Sequence, residues 1–277
     1  MTVLKISEAI EELLVGRNLR GMQTVRSVLE PGYMMRAATM IKDHSDTVLI
    51  GTGFPVDNTF ETDGPPGAIA LYKAIESLGG KPILACSDPL AKAIKDDYNV
   101  HTLTVGSLSG ARLEAERALK ILKPSLLISI EHPGRTASDD YRNMRGENIS
   151  SRCSGFDYFL SMAECPSIGI GDGGNEAGMG NIVNALIELD IMPSVVCCDE
   201  LVIADVSNWA AHGLIACLSY LKQQDLLQNW DNKEILQYLS DRGGVDGITR
   251  KNTLTEDSLD SEISENLIQE LKKLVGF

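Results

Sequence analysis

Residues 46–56 read DTVLIGTGFPV: a turn-forming start, an apolar run without interruption, and then glycine, glycine and proline. A half-exposed strand would alternate polar with apolar residues. A continuous run bounded by turn signals instead suggests a strand covered on both faces, as in a parallel sheet. Working outward, the same grammar repeats. GPPGAIALYKAIESLGG (64–80) is a helix with prolines at its start and Gly79 and Gly80 at its stop. KPILACS (81–87) is the next strand, and DPLAKAIKDDYN (88–99) is a helix with Asp88 as its cap and Pro89 at its first position. HTLTV (101–105) is a strand, SGARLEAERALKILK (109–123) a long helix, and PSLLISIEHPG (124–134) a strand that ends in a polar loop.

SIGIGDGG (167–174), a helix over roughly 175–189 and PSVVCCD (193–199) make one further strand–helix–strand unit. NWAAHGLIACLSYL (208–221) reads as a buried helix. On the amino-terminal side, KISEAIEELLV (5–15) and PGYMMRAATMIKD (31–43) are helical patterns. Strands alternating with helices predict an α/β fold with a doubly wound, mostly parallel sheet flanked by helices. No repeat or linker divides residues 1–277. One domain is expected, with the polar segment 243–260 and a terminal helix over 261–275 packing back on it.

Composition narrows the function classes. The formal charge is −14, aromatic content is 5%, and no basic stripe is present, so phosphate neutralisation and base stacking are not provided for nucleic acid. No apolar run reaches about 18 residues, the length needed to span a membrane, and the amino terminus lacks the pattern of a secretory or transit signal. The six cysteines form no C-x-x-C pair. A reducing, cytoplasmic setting is expected, with a small-molecule substrate and with homo-oligomerisation left open.

Open α/β sheets bind ligands beyond the carboxyl ends of their strands. Three polar loops are predicted there: GTGFPVDNTFETDGPPGA (51–68), EHPGRTASDDYRNMRG (131–146) and GDGGNEAGMG (171–180). The third matches G-x-G-x-x-G through Gly169, Gly171 and Gly174, which would fit a dinucleotide. Asp172 and Glu176, however, would then face an anionic pyrophosphate. Helix capping is one alternative. The other is a substrate or metal site in which Asp172, Asn175 and Glu176 offer hard oxygen ligands suited to Mg²⁺ or Mn²⁺. Gly173 and Gly174 would let backbone approach the ligand, as would Gly53 in the first loop.

In that first loop Asp63 is either a helix cap or a group facing the ligand. The second loop gathers Glu131, His132, Arg135, Tyr141, Arg142 and Arg145. Its arginines suit carboxylate binding through forked donors, with surface ion pairing as the alternative. Glu131 and His132 are candidates for proton transfer. Asn208 opens the buried helix as an expected cap that also borders the substrate site.

GTGFPV, TDGPPGA, EHPGR, YRNMRG, IGIGDGGNEAGMGN, SNWAAHGL and GGVDGIT together resemble the D-glutamate cyclase C-terminal domain family, from about residue 10 to residue 260. The resemblance implies a lyase in which D-glutamate loses water to give 5-oxo-D-proline. In longer relatives this domain follows a hydratase-like domain. Chemistry assigns the expected roles: Asp63, Glu131 and His132 in proton transfer, and Arg135, Tyr141, Arg142 and Arg145 in substrate binding. A divalent metal or the substrate ammonium would sit at Asp172 and Glu176, with Asn175 beside them, and no organic cofactor is expected. The competing readings are a non-catalytic module binding an amino acid or acidic metabolite, and an NAD-dependent enzyme using the glycine turn.

Overall fold

The computed structural model describes residues 2–106, 108–186, 189 and 191–277. In chain order the strands are β1 (Val48–Gly51), β2 (Pro55–Val56), β3 (Thr59–Phe60), β4 (Pro82–Ser87), β5 (Val100–Leu103), β6 (Leu126–Ile130), β7 (Ser167–Gly171), β8 (Glu200–Ile203), β9 (Thr255–Glu256) and β10 (Leu259–Asp260). Six of them form one parallel sheet in the order β5-β4-β1-β6-β7-β8. The chain winds outward from β1 to β5, returns to the centre, and winds the other way from β6 to β8. The strand order therefore reverses between β1 and β6, where the loops leaving adjacent strands diverge and open a crevice.

Period-two alternation distributes the strand side chains between two cores. Val48 and Ile50 of β1, with Leu126, Ile128 and Ile130 of β6, enter the larger core. Leu49 and Leu127 point to the smaller one. Full burial of each such aliphatic stabilises the fold by about 1.5–3 kcal/mol. The larger core is covered by α1 (Val3–Val15), α3 (Tyr33–Asp43), α4 (Pro65–Ser77), α9 (Ser207–Lys222) and α11 (Ser261–Val275). Helix α9 is buried continuously from Ser207 to Ser219 and packs against α3, α4 and α11. That explains why its sequence lacks a polar stripe. The smaller core lies under α6 (Leu108–Leu122) and α7 (Phe156–Met162).

The fold is the doubly wound α/β arrangement that the alternation implied, with three local corrections. PSVVCCD is not a strand; the sheet takes the next residues, Glu200–Ile203. Val195 N–H donates to Arg135 O (2.9 Å) and Val196 O accepts from Gly178 N–H (2.9 Å), which holds this stretch as a loop. The helix expected over 175–189 is confined, within the described residues, to a 3₁₀ turn at Gly180–Ile182 and a short α8 (Val183–Leu186). Left-handed glycines at 174 and 178 (φ +109° and +112°) keep the preceding loop irregular. Residues 187 and 188 of that expectation lie outside the described residues. Finally, Pro89 rather than Asp88 occupies the cap of α5 (Leu90–Ile94), and Asp88 pairs with Lys92 at 2.9 Å. No helix among the described residues is long and apolar enough to cross a membrane.

Candidate active site

The loops leaving β1, β6 and β7 enclose a cavity of about 260 Å³ at the β1–β6 reversal. Glu61 comes from the first loop, Glu131 and Arg145 from the second, and Asp172, Asn175 and Glu176 from the third. Arg20, Gly247, Arg250 and Asp257 reach the same space from the two ends of the chain. Asp257 is delivered by the two-residue turn between β9 and β10, where Asp257 and Ser258 are both left-handed (φ 50° and 65°).

Behind this space two helix starts cap one another. Asp63 Oδ1 accepts from Asn208 N–H (2.8 Å) and Asp63 Oδ2 from Ser207 N–H (2.9 Å), which satisfies the first turn of α9. In return Asn208 Oδ1 accepts from Gly64 N–H (2.9 Å) and Gly67 N–H (2.8 Å) at the start of α4. Asp63 is thus a cap, but of α9 rather than of the helix that follows it. Asn208 Nδ2 donates to Thr62 O (2.9 Å) and Glu256 Oε1 (2.7 Å), so every polar atom of the amide is engaged. Gly64 is needed at this junction: its φ is +95°, and a Cβ would lie 2.6 Å from Cβ of Glu131. Glu131 itself follows β6 in the left-handed region (φ +43°), an uncommon conformation for a residue with a side chain.

The floor of the cavity is acidic and buried, with Glu131 and Asp172 lining it and Asp63 directly behind. Ligand oxygens of Asp63, Glu131 and Asp172 all lie within 4.8 Å of one another, and all three residues are buried. Glu131 Oε2 accepts from Ser207 Oγ at 2.6 Å. Arg20 bridges Asp172 and Asp257, and its Nε also donates to Asp172 O at 3.2 Å. Burial raises the carboxyl pKa of Glu131 well above its ordinary range, with Glu176 and Asp63 adding to the rise. Burial does the same for Asp172, against the pull of Arg20. Glu61 is likewise held well above the ordinary range by burial, with Asp257 and Asp63 adding to it. Asp63 is pushed up to about 6, again by burial first. Protons therefore reside on this floor at pH values where free carboxyl groups have lost them.

Several candidate residues lie elsewhere. His132 is fully enclosed, with Nδ1 3.1 Å from Pro133 O and Nε2 3.1 Å from Ser154 Oγ. Burial lowers its pKa, so it sits as a neutral structural imidazole outside the cavity wall. Arg135 Nε donates to Asp157 Oδ2 (2.6 Å), and its guanidinium carbon lies 3.7 Å from the Tyr158 ring centroid. Tyr141 donates its hydroxyl to Asp157 Oδ1 (2.6 Å). Arg142 Nε donates to Asp140 Oδ2 (2.8 Å). Ion pairing and core packing, not the cavity, occupy these three. Of the loop's candidates, Glu131 and Arg145 line it.

Gly53 (φ +106°) borders a neighbouring cleft with Pro89 and Leu90. Gly173 and Gly174 do offer N–H groups, but both donate to Glu176, at 2.9 and 2.7 Å. Glu176 is therefore spent on its own loop, and the acids that cluster with Asp172 are Asp63 and Glu131.

Sequence reasoning passed over Arg20, Asp257 and Ser207. Arg20 lies in GRNLRG, which follows no strand, and nothing in its spacing points to the sheet edge. Asp257 and Gly247 fall in the polar 243–260 segment, whose loop character alone suggested that it folds back.

A model of the family described as D-glutamate cyclase-like, C-terminal, matches residues 10–272. The chain is 34% identical over 212 residues to the D-glutamate cyclase, mitochondrial, of Homo sapiens, a match covering 66% of this chain and 34% of that protein. The chain therefore spans about a third of the length of this curated relative. A solved 3-oxoacyl (acyl-carrier-protein) reductase from Agrobacterium tumefaciens, with NADP bound, overlaps 76% of this chain and 71% of its own. Identity there is 14% and the TM-score 0.29, too slight a likeness to bear on this cavity. With the family model covering almost its whole length, this chain belongs to the D-glutamate cyclase-like, C-terminal family.

Proposed function

We propose that this chain cyclises D-glutamate to 5-oxo-D-proline, with the cavity at the β1–β6 reversal as its active site. One observation carries the reading: the cavity joins a buried carboxyl floor to a rim of Arg145, Arg152 and Arg250. Glutamate has the matching polarity, with two carboxylates for the rim and one ammonium for the floor. Forked guanidinium donors favour carboxylates over point anions. The family relationship supports the same substrate, and the proposal places that activity in the portion of the relative that this chain matches.

Ring closure forms a bond between the α-nitrogen and the γ-carboxyl carbon and breaks one carbon–oxygen bond. The ammonium gives up two protons and the departing oxygen takes up two, leaving as water. Carboxyl groups with raised pKa can both accept and return protons near neutrality. Glu131 and Asp172, which line the cavity, receive one amine proton each in this reading and return them to the leaving oxygen, since His132 is walled off. The cavity contributes proximity, holding the side chain folded in a ring-forming pose.

Asp63, Glu131 and Asp172 offer buried hard oxygens that fit Mg²⁺ or Mn²⁺. Such an ion would add Lewis-acid neutralisation of the γ-carboxylate. The dinucleotide alternative has less support, because the Gly173 and Gly174 N–H groups it would use are already donated to Glu176. The test is chiral chromatography of D- and L-glutamate incubated with the protein, after chelation and again with Mg²⁺ or Mn²⁺. Formation of 5-oxoproline from the D enantiomer is expected. Saturable binding without product would make the chain a binding module.

A further inference from the structure

Two oxygen atoms on residues that line the cavity are shut off from solvent and have no hydrogen-bond partner among the described residues: Glu61 Oε1 and Asn175 Oδ1. Glu61 is 7% exposed and Asn175 3%. A buried acceptor left unsatisfied costs about 1–3 kcal/mol, and native folds keep few of them. Neither side chain is free to turn away. Asn175 Nδ2 donates to Arg142 O at 3.0 Å, which fixes the amide and leaves Oδ1 as its unpaired atom.

Glu61 is anchored through its backbone, which donates to Phe54 O at 3.2 Å and bridges to Val245. The turn carrying Gly247 passes so close that a Cβ there would lie 2.1 Å from Glu61 Oε2. Both orphans therefore belong to residues that line one small space. A sphere of its 260 Å³ is about 8 Å across, the scale of a single amino acid. What each atom lacks is a donor, and a primary ammonium brings three.

Resting on the reading of this cavity as the site for a dicarboxylic amino acid, we infer that Glu61 Oε1 and Asn175 Oδ1 form the subsite for the primary ammonium of the substrate. They make the cavity selective for an amine-bearing diacid over the same diacid without the amine. The Gly247 turn is part of the device, because it fixes the position of the Glu61 carboxyl group.

The experiment is calorimetric binding of D-glutamate, L-glutamate and glutarate to chelator-treated protein. Glutarate keeps both carboxylates and lacks only the amine. One glutamate enantiomer is expected to bind at least tenfold more tightly than glutarate, a difference of about 1.4 kcal/mol. Asn175→Leu, similar in shape but without the acceptor, should lose most of that ratio while glutarate affinity stays within about twofold. Asn175→Asp, which restores an acceptor, should recover it. Gly247→Ala, which displaces Glu61, should erode it as well.

Equal affinity for glutamate and glutarate, equal weakening of both by Asn175→Leu, or no binding by any of the three acids would overturn the inference. So would binding that disappears on chelation, because the orphan oxygens would then be serving a metal. Scoring 5-oxoproline in the same samples separates the two ideas. Selective binding without product sinks the cyclase reading and leaves the ammonium subsite standing. Product without selectivity does the reverse.

Discussion

His212 lies in the middle of α9, fully enclosed, with neither ring nitrogen hydrogen-bonded among the described residues and its ring 5.6 Å from that of Trp230. Burial pushes its pKa from 6.5 down to about 3. Below pH 6.5 the unfolded chain takes up a proton that the folded chain refuses. Stability from this site is therefore complete above pH 6.5 and is lost as pH falls toward 3. The slope is about 1.4 kcal/mol per pH unit, so the loss reaches about 2 kcal/mol at pH 5 and is negligible at pH 7.5. His212→Leu is similar in volume and removes the titrating ring. The stability difference between variant and wild type should shift by about 2 kcal/mol in favour of the variant between pH 7.5 and pH 5. Taking the difference between the two chains cancels the other titrating groups. Urea unfolding at both pH values, with unchanged m, measures it directly. A shift below about 0.5 kcal/mol would mean that the imidazole is protonated in the fold, and the reasoning from burial would fail.

Asn208→Ala removes the acceptor shared by Gly64 and Gly67 and strips Glu256 of a donor, so a loss of about 3 kcal/mol is expected in urea unfolding. A loss under 1 kcal/mol would show that the two helix starts are not tied through this amide. Arg20→Lys keeps the charge but cannot fork between Asp172 and Asp257. It should lower kcat/KM for cyclisation by at least about tenfold, and wild-type kinetics would remove Arg20 from the site's architecture. Arg145→Lys should raise KM about tenfold with kcat changed much less. An unaltered KM would mean that the rim does not hold the substrate carboxylates.

The five strands from β1 to β7 that build most of the sheet were legible because each is an apolar run stopped by glycine, proline or a polar turn. Strand β8 was misplaced by a few residues. Val195 and Val196 have the composition of a strand, but tertiary hydrogen bonds to Arg135 and Gly178 claim their backbone. The loops that build the site were legible from their position after strands, and Asp63, Glu131, Asp172 and Arg145 were all drawn from them. What each acid does was not. Asp63 and Asn208 cap across one another over 145 positions of sequence, and no local pattern encodes a partner at that distance. His132 and Arg135 drew notice by residue type. Their surroundings, Ser154 and Asp157, come from a segment that carries no motif.

Arg20 joins Asp172 to Asp257, partners 152 and 237 residues away along the chain. During vectorial synthesis the last strand of the main sheet, ending at Ile203, has left the ribosome well before Asp257 does. For that interval a nascent chain could complete its sheet but not its acidic floor. Asp172 would wait with Arg20 on one side and nothing where the β9–β10 turn belongs. On the proposed reading, the acidic site is thus complete only once the final hairpin is in place.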